Sequence, residues 1–123
     1  MRIPRPRKKN RSYKYLLEDM LEAMEAILSY TEGMEPADFM EDKLIQDAVI
    51  RNFMIIGEAA RNLPDKFRDK YQHVPWRKFH MLRNFLAHQY FGVDLHLVWR
   101  ILKSHLPQHI EHIKHIIRKE EFR

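Results

Sequence analysis

The 123-residue chain has no cysteine, only three glycines and no long apolar run. The lack of cysteine excludes a disulfide framework, a thiolate zinc site and a cysteine nucleophile, and it suits a reducing, cytoplasmic setting. Gly33, Gly57 and Gly92 lie too far apart to build a glycine-rich phosphate loop, so P-loop and dinucleotide-binding folds are excluded. Apolar stretches of a few residues fall far short of the roughly 20 that a membrane span needs. No apolar segment follows the basic N-terminus, so neither a secretory signal nor a membrane partner is expected. Period-2 alternation and β-branched clusters are also missing, which leaves no strand to predict.

The formal charge of +5 is unevenly distributed. Residues 1–11 carry +6, residues 12–65 carry −8, and residues 66–123 carry +7 together with all eight histidines. Without the first eleven residues the chain is close to neutral but bipolar. A positive half points to an anionic partner, and a negative half confines that partner to one side. Residues 1–11, with Pro4 and Pro6 among six bases, are too polar to fold and are expected to form a disordered arm. Residues 12–123 are expected to form a single domain.

Apolar positions recur at helical spacing through four stretches. The first helix is expected over 12–32, capped by Ser12 and ended by a left-handed Gly33. Residues 36–39 read as a connector. The second helix is expected over 42–63 and is stopped by Pro64. Residues 65–73 read as a short helix or turn. The third helix begins near Pro75, with Phe79, Leu82, Phe85 and Leu86 along its apolar side. The fourth begins at Asp94 and breaks near residues 104–106, before Pro107. The expected fold is all-α: an antiparallel, up-and-down four-helix bundle with an extra short helix. Aromatic residues beyond what one core needs point to a dimer face.

The densest chemistry lies in residues 81–90, MLRNFLAHQY. Asn84 and His88 are i,i+4 neighbours, while Arg83 and His88 diverge by about 140° around a regular helix. Arginine is a planar, bidentate phosphate donor, histidine moves protons near neutral pH, and asparagine can hold a tautomer or an oxygen. On residue types alone, a solvated helix face with one capping histidine is the plainer reading.

The pattern Arg83-x4-His88-x-Tyr90, with Asn84 after the arginine, resembles the motif of the HEPN superfamily. Residues 47–63 (DAVIRNFMIIGEAARNL), 74–90 (VPWRKFHMLRNFLAHQY) and 91–99 (FGVDLHLVW) are similar to the HepT-like toxin group, and residues 18–33 fit its first helix. The resemblance covers most of residues 12–117 and omits the basic arm. It implies an all-α homodimer acting as a metal-independent ribonuclease toxin of a toxin–antitoxin pair, with no cofactor. Arg83 and His88 would be the catalytic pair, assisted by Asn84. Tyr90 would receive AMP from a minimal nucleotidyltransferase antitoxin of the MntA kind, which silences the nuclease. One His88 cannot easily act as base and acid in the same step. A two-fold dimer would bring two His88 and two Arg83 into one groove. The alternative is a non-catalytic subunit that binds nucleotide or RNA for a nucleotidyltransferase. A purely structural helical partner is the third reading.

Asp47 and Arg51 are spaced as an i,i+4 ion pair, and Glu58 lies two turns beyond. They read either as a surface ion-pair set or as supports that orient Arg83 or His88 from behind. Gly57, Ala59 and Ala60 permit a close helix approach at that level. His105, His109, His112 and His115 have partly facial spacing, but Pro107 interrupts them and Glu111 points elsewhere. No metal site is expected, and they read as polar residues flanking an isoleucine stripe. Trp76 and Trp99 fall on apolar stripes and read as core or interface anchors.

Overall fold

A computed structural model describes residues 13–88 and 92–120 of the chain. The arm 1–11, Ser12 as a cap, and Tyr90 lie outside the described residues. Among those residues the chain forms seven helices and no strand. They are α1 (Lys14–Tyr30), α2 (Pro36–Glu41), α3 (Lys43–Asn62), α4 (Asp65–Lys70), α5 (Trp76–His88), α6 (Leu95–Ser104) and α7 (Leu106–Lys119). None is long and apolar enough to cross a membrane.

In α1, Leu16, Leu17, Met20, Ala23, Met24 and Ile27 are buried, an apolar stripe repeating every three to four residues. α1 packs on α3 and α7, and α3 packs on α5. α6 and α7 together form the fourth limb of the bundle. Ile110, Ile113 and Ile116 of α7 close the core against α1. Each fully buried Leu, Ile or Met adds about 1.5–3 kcal/mol to folding.

The helix ends follow local chemistry. Asp42 Oδ1 accepts from the Ile45 N–H at 3.0 Å and starts α3. Asp94 Oδ1 accepts from His96 and Leu97 N–H at 3.0 and 3.2 Å and starts α6. The fourth limb breaks at His105, where Pro107 falls in the first turn of α7 and its missing N–H costs no intrahelical bond. Pro75 precedes α5, and its carbonyl accepts from Phe79 N–H at 3.1 Å.

Three expectations are corrected. Residues 36–41 form a true helix, α2, because buried Gln46 donates from Nε2 to the Phe39 and Met40 carbonyls at 2.9 and 3.0 Å. Those are orphan acceptors at a helix end, which a lone turn would leave to water. Gly33 is left-handed at φ 76° but stands two residues beyond the Thr31 cap of α1. Phe85 is 41 % exposed rather than part of the core, so α5 is seated by buried Trp76 and Leu86 instead.

One tie spans much of the sequence. The Tyr71 hydroxyl donates to Glu120 at the end of α7, and Lys70 Nζ reaches the same carboxylate at 2.8 Å. Tyr71 also receives, at its carbonyl, the indole N–H of Trp76 at 3.0 Å. Burial and the Glu120 hydrogen bond push the Tyr71 hydroxyl up to about 12. Lys70 and Tyr71 hold the Glu120 carboxyl below its usual range.

His109 departs from the expected solvated flank. It is only 9 % exposed, and its ring stands edge-on to Phe79 at 5.1 Å. Burial, then the nearby His112 and His105, lower it from 6.5 to about 4. Between pH 6.5 and 4 the unfolded chain therefore takes up a proton that folded His109 refuses. This contribution to stability is complete above 6.5 and is lost as pH falls through that window. Urea unfolding at pH 7 and pH 4.5 should show a loss of about 2 kcal/mol that His109→Gln removes, with partial solvent screening limiting the size.

Candidate functional site

α5 carries the dense polar segment, and α3 supports it. The two helices touch at Gly57, where a hypothetical Cβ would collide with Arg83 Cβ and lie 2.6 Å from the Phe79 carbonyl oxygen. Only glycine allows this approach, and the approach sets Arg83 beside α3. Arg83 Nε then lies 3.5 Å from Glu58 Oε2. Arg83 Nη1 donates to Asn84 Oδ1 at 3.0 Å. With its oxygen engaged, Asn84 turns its amide nitrogen to His80 and donates to Nε2 at 3.2 Å. Because an amide NH2 can only donate, His80 Nε2 must accept, which leaves the His80 proton on Nδ1. That Nδ1 is buried with no hydrogen-bond partner, as is Glu58 Oε2.

The result is a chain of four side chains, Glu58–Arg83–Asn84–His80, spanning two helices. His88 stands exposed at the last position of α5. α5 stays helical through His88, so Arg83 and His88 leave it in directions about 140° apart. No unwinding brings them together within one protomer.

Beside Arg83 runs a groove of about 440 Å3 lined by Asp47, Arg51, Glu58 and Arg83, with Ile50, Met54 and Ile55 as its apolar floor. Asp47, on the groove wall, pairs with Lys43 at 2.8 Å, and no ion pair joins it to Arg51 among the described residues. Arg51 therefore keeps its guanidinium exposed in the groove. Met81 and Phe85 stay 57 % and 41 % exposed on the outer side of α5, an apolar patch next to polar chemistry. Trp76 is buried, and Trp99 packs on Phe39 at 5.3 Å with Lys103 Nζ 4.9 Å above its ring.

His80 is the residue that its sequence context hides. It belongs to no motif, and only its i,i+4 spacing to Asn84 marks it. Among the described residues, no group of three or more His, Cys, Asp or Glu is placed to hold a metal ion.

The model of the family described as Ribonuclease HepT-like matches residues 20–116. The chain belongs to the HepT-like ribonuclease family. It is 40 % identical over 116 residues to a Methanocaldococcus jannaschii protein named "Putative RNase", covering 94 % of this chain and 93 % of that one. A "Probable ribonuclease HepT" of Thermococcus cleftensis is 43 % identical over 97 residues, 79 % of this chain and 88 % of that one. A second M. jannaschii protein, named as a gamma-glutamylcyclotransferase and putative RNase, is 46 % identical over 104 residues. That match spans 85 % of this chain but 47 % of the longer protein, about half its length. No solved structure matches the chain. For this HepT-like chain, the family match includes α5 and the helices that support it.

Proposed function

We propose that the chain is a metal-independent ribonuclease toxin whose site is completed by a second copy of itself. The observation that carries this reading is the Glu58–Arg83–Asn84–His80 chain on α3 and α5, with exposed His88 at the end of α5, in a member of the HepT-like ribonuclease family. Its relatives' names point the same way.

One protomer offers a single His88, turned away from its own Arg83. A two-fold dimer that pairs the α5 helices of two copies would face each Arg83 with the partner's copy of His88. One imidazole then takes the proton of a ribose 2′-hydroxyl as that oxygen bonds to phosphorus. The other gives a proton to the 5′-oxygen as its bond to phosphorus breaks, leaving a 2′,3′-cyclic phosphate. The two arginines bind the charge that builds on the phosphorane oxygens, where preorganised donors contribute most. Glu58 and Asn84 hold each guanidinium in place. Asp47 and Arg51 shape the groove wall, and Arg51 adds a second cation for RNA.

A partner nucleotidyltransferase of the MntA kind would attach AMP to Tyr90, two residues past His88. Bulk and negative charge there would oppose the entry of an RNA phosphate. The divergence of Arg83 and His88 within one chain also favours a second reading, a subunit that binds RNA or nucleotide for that enzyme without cleaving.

The deciding experiment is incubation of the purified chain with single-stranded RNA in EDTA. Cleavage to cyclic-phosphate ends is expected, and intact RNA with binding retained would leave the second reading. Mass measurement after co-expression with the nucleotidyltransferase should show added AMP that Tyr90→Phe abolishes. AMP that persists on the Tyr90→Phe protein removes the regulatory claim. His80→Ala should lower kcat about fivefold with little change in KM, matching one lost orienting hydrogen bond of about 1 kcal/mol. His80→Gln should recover part of that loss by restoring an acceptor, and steady-state cleavage kinetics read both.

A further inference from the structure

The flank of α5 facing away from Arg83 opens on a second cavity, of about 460 Å3, between α5, α3 and the α6–α7 joint. Lys78 and Leu82, which line it, leave α5 about 140° and 100° from Arg83. The cavity is therefore separate from the groove described above. Its volume falls within the roughly 300–1,000 Å3 of small-molecule sites. Phe53, Phe79 and Leu82 form an apolar wall, and Lys78, His105 and Gln108 stand exposed around it.

Its polar lining has one character. Four histidines (His73, His105, His109 and His112) and Lys78 contribute, and no carboxylate does. The rings are set edge to face: His73 on His112 at 4.9 Å and Phe79 on His109 at 5.1 Å. His109 is more than nine-tenths buried, and its Nδ1 has no hydrogen-bond partner, nor has that of His112.

What such a lining recognises is a flat ring with hydrogen-bonding edges joined to an anion. Aromatic walls stack or abut a base, imidazoles both donate and accept along its edge, and lysine with flanking histidines suits a phosphate. We propose that this cavity binds a nucleotide, with its base against the Phe79–His109 wall and its phosphate at Lys78 and His105. The nucleotide is either free or one unit of a single-stranded RNA. The proposal does not depend on the ribonuclease reading, because none of these side chains belongs to the Arg83 groove.

Calorimetric titration of the full chain with two probes tests it: AMP, and a 2′-O-methyl hexa-adenylate that cannot be cleaved through a 2′-hydroxyl. Lys78→Glu and His105→Ala alter exposed positions and should leave the circular dichroism spectrum unchanged. Lys66→Glu, on α4, controls for net charge. At least one probe should bind the wild type and Lys66→Glu with similar affinity. That affinity should fall at least tenfold in Lys78→Glu and at least threefold in His105→Ala. The His109 and His112 imidazole NMR signals should shift on binding. Binding of AMP alone identifies a free-nucleotide site, whereas binding of the oligonucleotide identifies an RNA contact. The proposal is overturned if neither probe binds, or if Lys78→Glu and His105→Ala bind like the wild type. Loss of binding in His88→Ala alone also overturns it, by placing the ligand in the other groove. RNA cleavage measured on the same samples keeps a failed nuclease reading distinct from a failed pocket.

Discussion

Arg83→Ala and His88→Ala should each reduce RNA cleavage by about a hundred- to ten-thousand-fold, while a mixture of the two recovers activity. The size follows from what each group supplies: proton transfer is worth about 10²–10⁴ in rate, and one preorganised donor to a developing oxyanion about 10²–10³. The recovery follows from symmetry. A mixed dimer of the two variants keeps one Arg83 facing one His88, and so one phosphate donor and one of the two proton transfers, whereas the His88→Ala homodimer lacks both transfers and the Arg83→Ala homodimer both donors; recovery is therefore partial. Co-purification of differently tagged variants and measured initial rates would read the effect, and recovery of about tenfold over either homodimer is expected. Activity that stays at the homodimer level would place a complete site within each chain. Arg83→Lys separates charge from geometry, because an ammonium cannot reach Glu58, Asn84 and a phosphate through one planar fork. It should behave closer to alanine than to wild type. The Glu58–Arg83 pair is partly exposed on both sides, so its loss should cost stability less than about 1 kcal/mol. A large catalytic loss with a small shift in melting temperature therefore distinguishes chemistry from unfolding.

Gly57→Ala is the second large effect, and it should act through the backbone. A methyl group there would meet Arg83 Cβ and the Phe79 carbonyl oxygen, neither of which is the far end of a flexible side chain. α5 would have to lift from α3, the most extensive helix contact of the fold. Overpacking of this kind costs about 1–3 kcal/mol, and the better helix propensity of alanine returns at most about 1 kcal/mol. A net loss of stability is expected in urea unfolding. A disproportionate loss of cleavage should accompany it, because the displaced residue is Arg83 itself. Gly57→Val should be worse on both counts. A Gly57→Ala protein as stable and active as wild type would mean that the two helices slide freely there.

What was legible in the sequence, and what was not, divides by range. Helix starts at Asp42 and Asp94, the stop at Pro64 and the break before Pro107 depend on residues within one turn, and each lies where the sequence puts it. The α2 helix was missed because its last carbonyls are satisfied by Gln46, seen only once α3 folds back. Phe85 fits an apolar period, but its exposure is decided by how α5 rolls on α3. The i,i+4 spacing of Asp47 to Arg51 is matched by that of Lys43 to Asp47, and the pair that forms is with Lys43, which spacing alone does not decide. At the candidate site, Arg83, Asn84 and His88 stand out by local density. His80 acquires meaning only through the amide it receives, and the burial of His109 only through packing against α5.

The tie between Tyr71 and Glu120 also has a consequence in time. The residues that anchor the start of α5 emerge from the ribosome nearly fifty positions before the carboxylate that secures them. While that interval lasts, Tyr71 can receive the Trp76 indole but has no partner for its own hydroxyl. A nascent chain carries every residue of the groove before it carries the Glu120 carboxylate that fastens the start of α5.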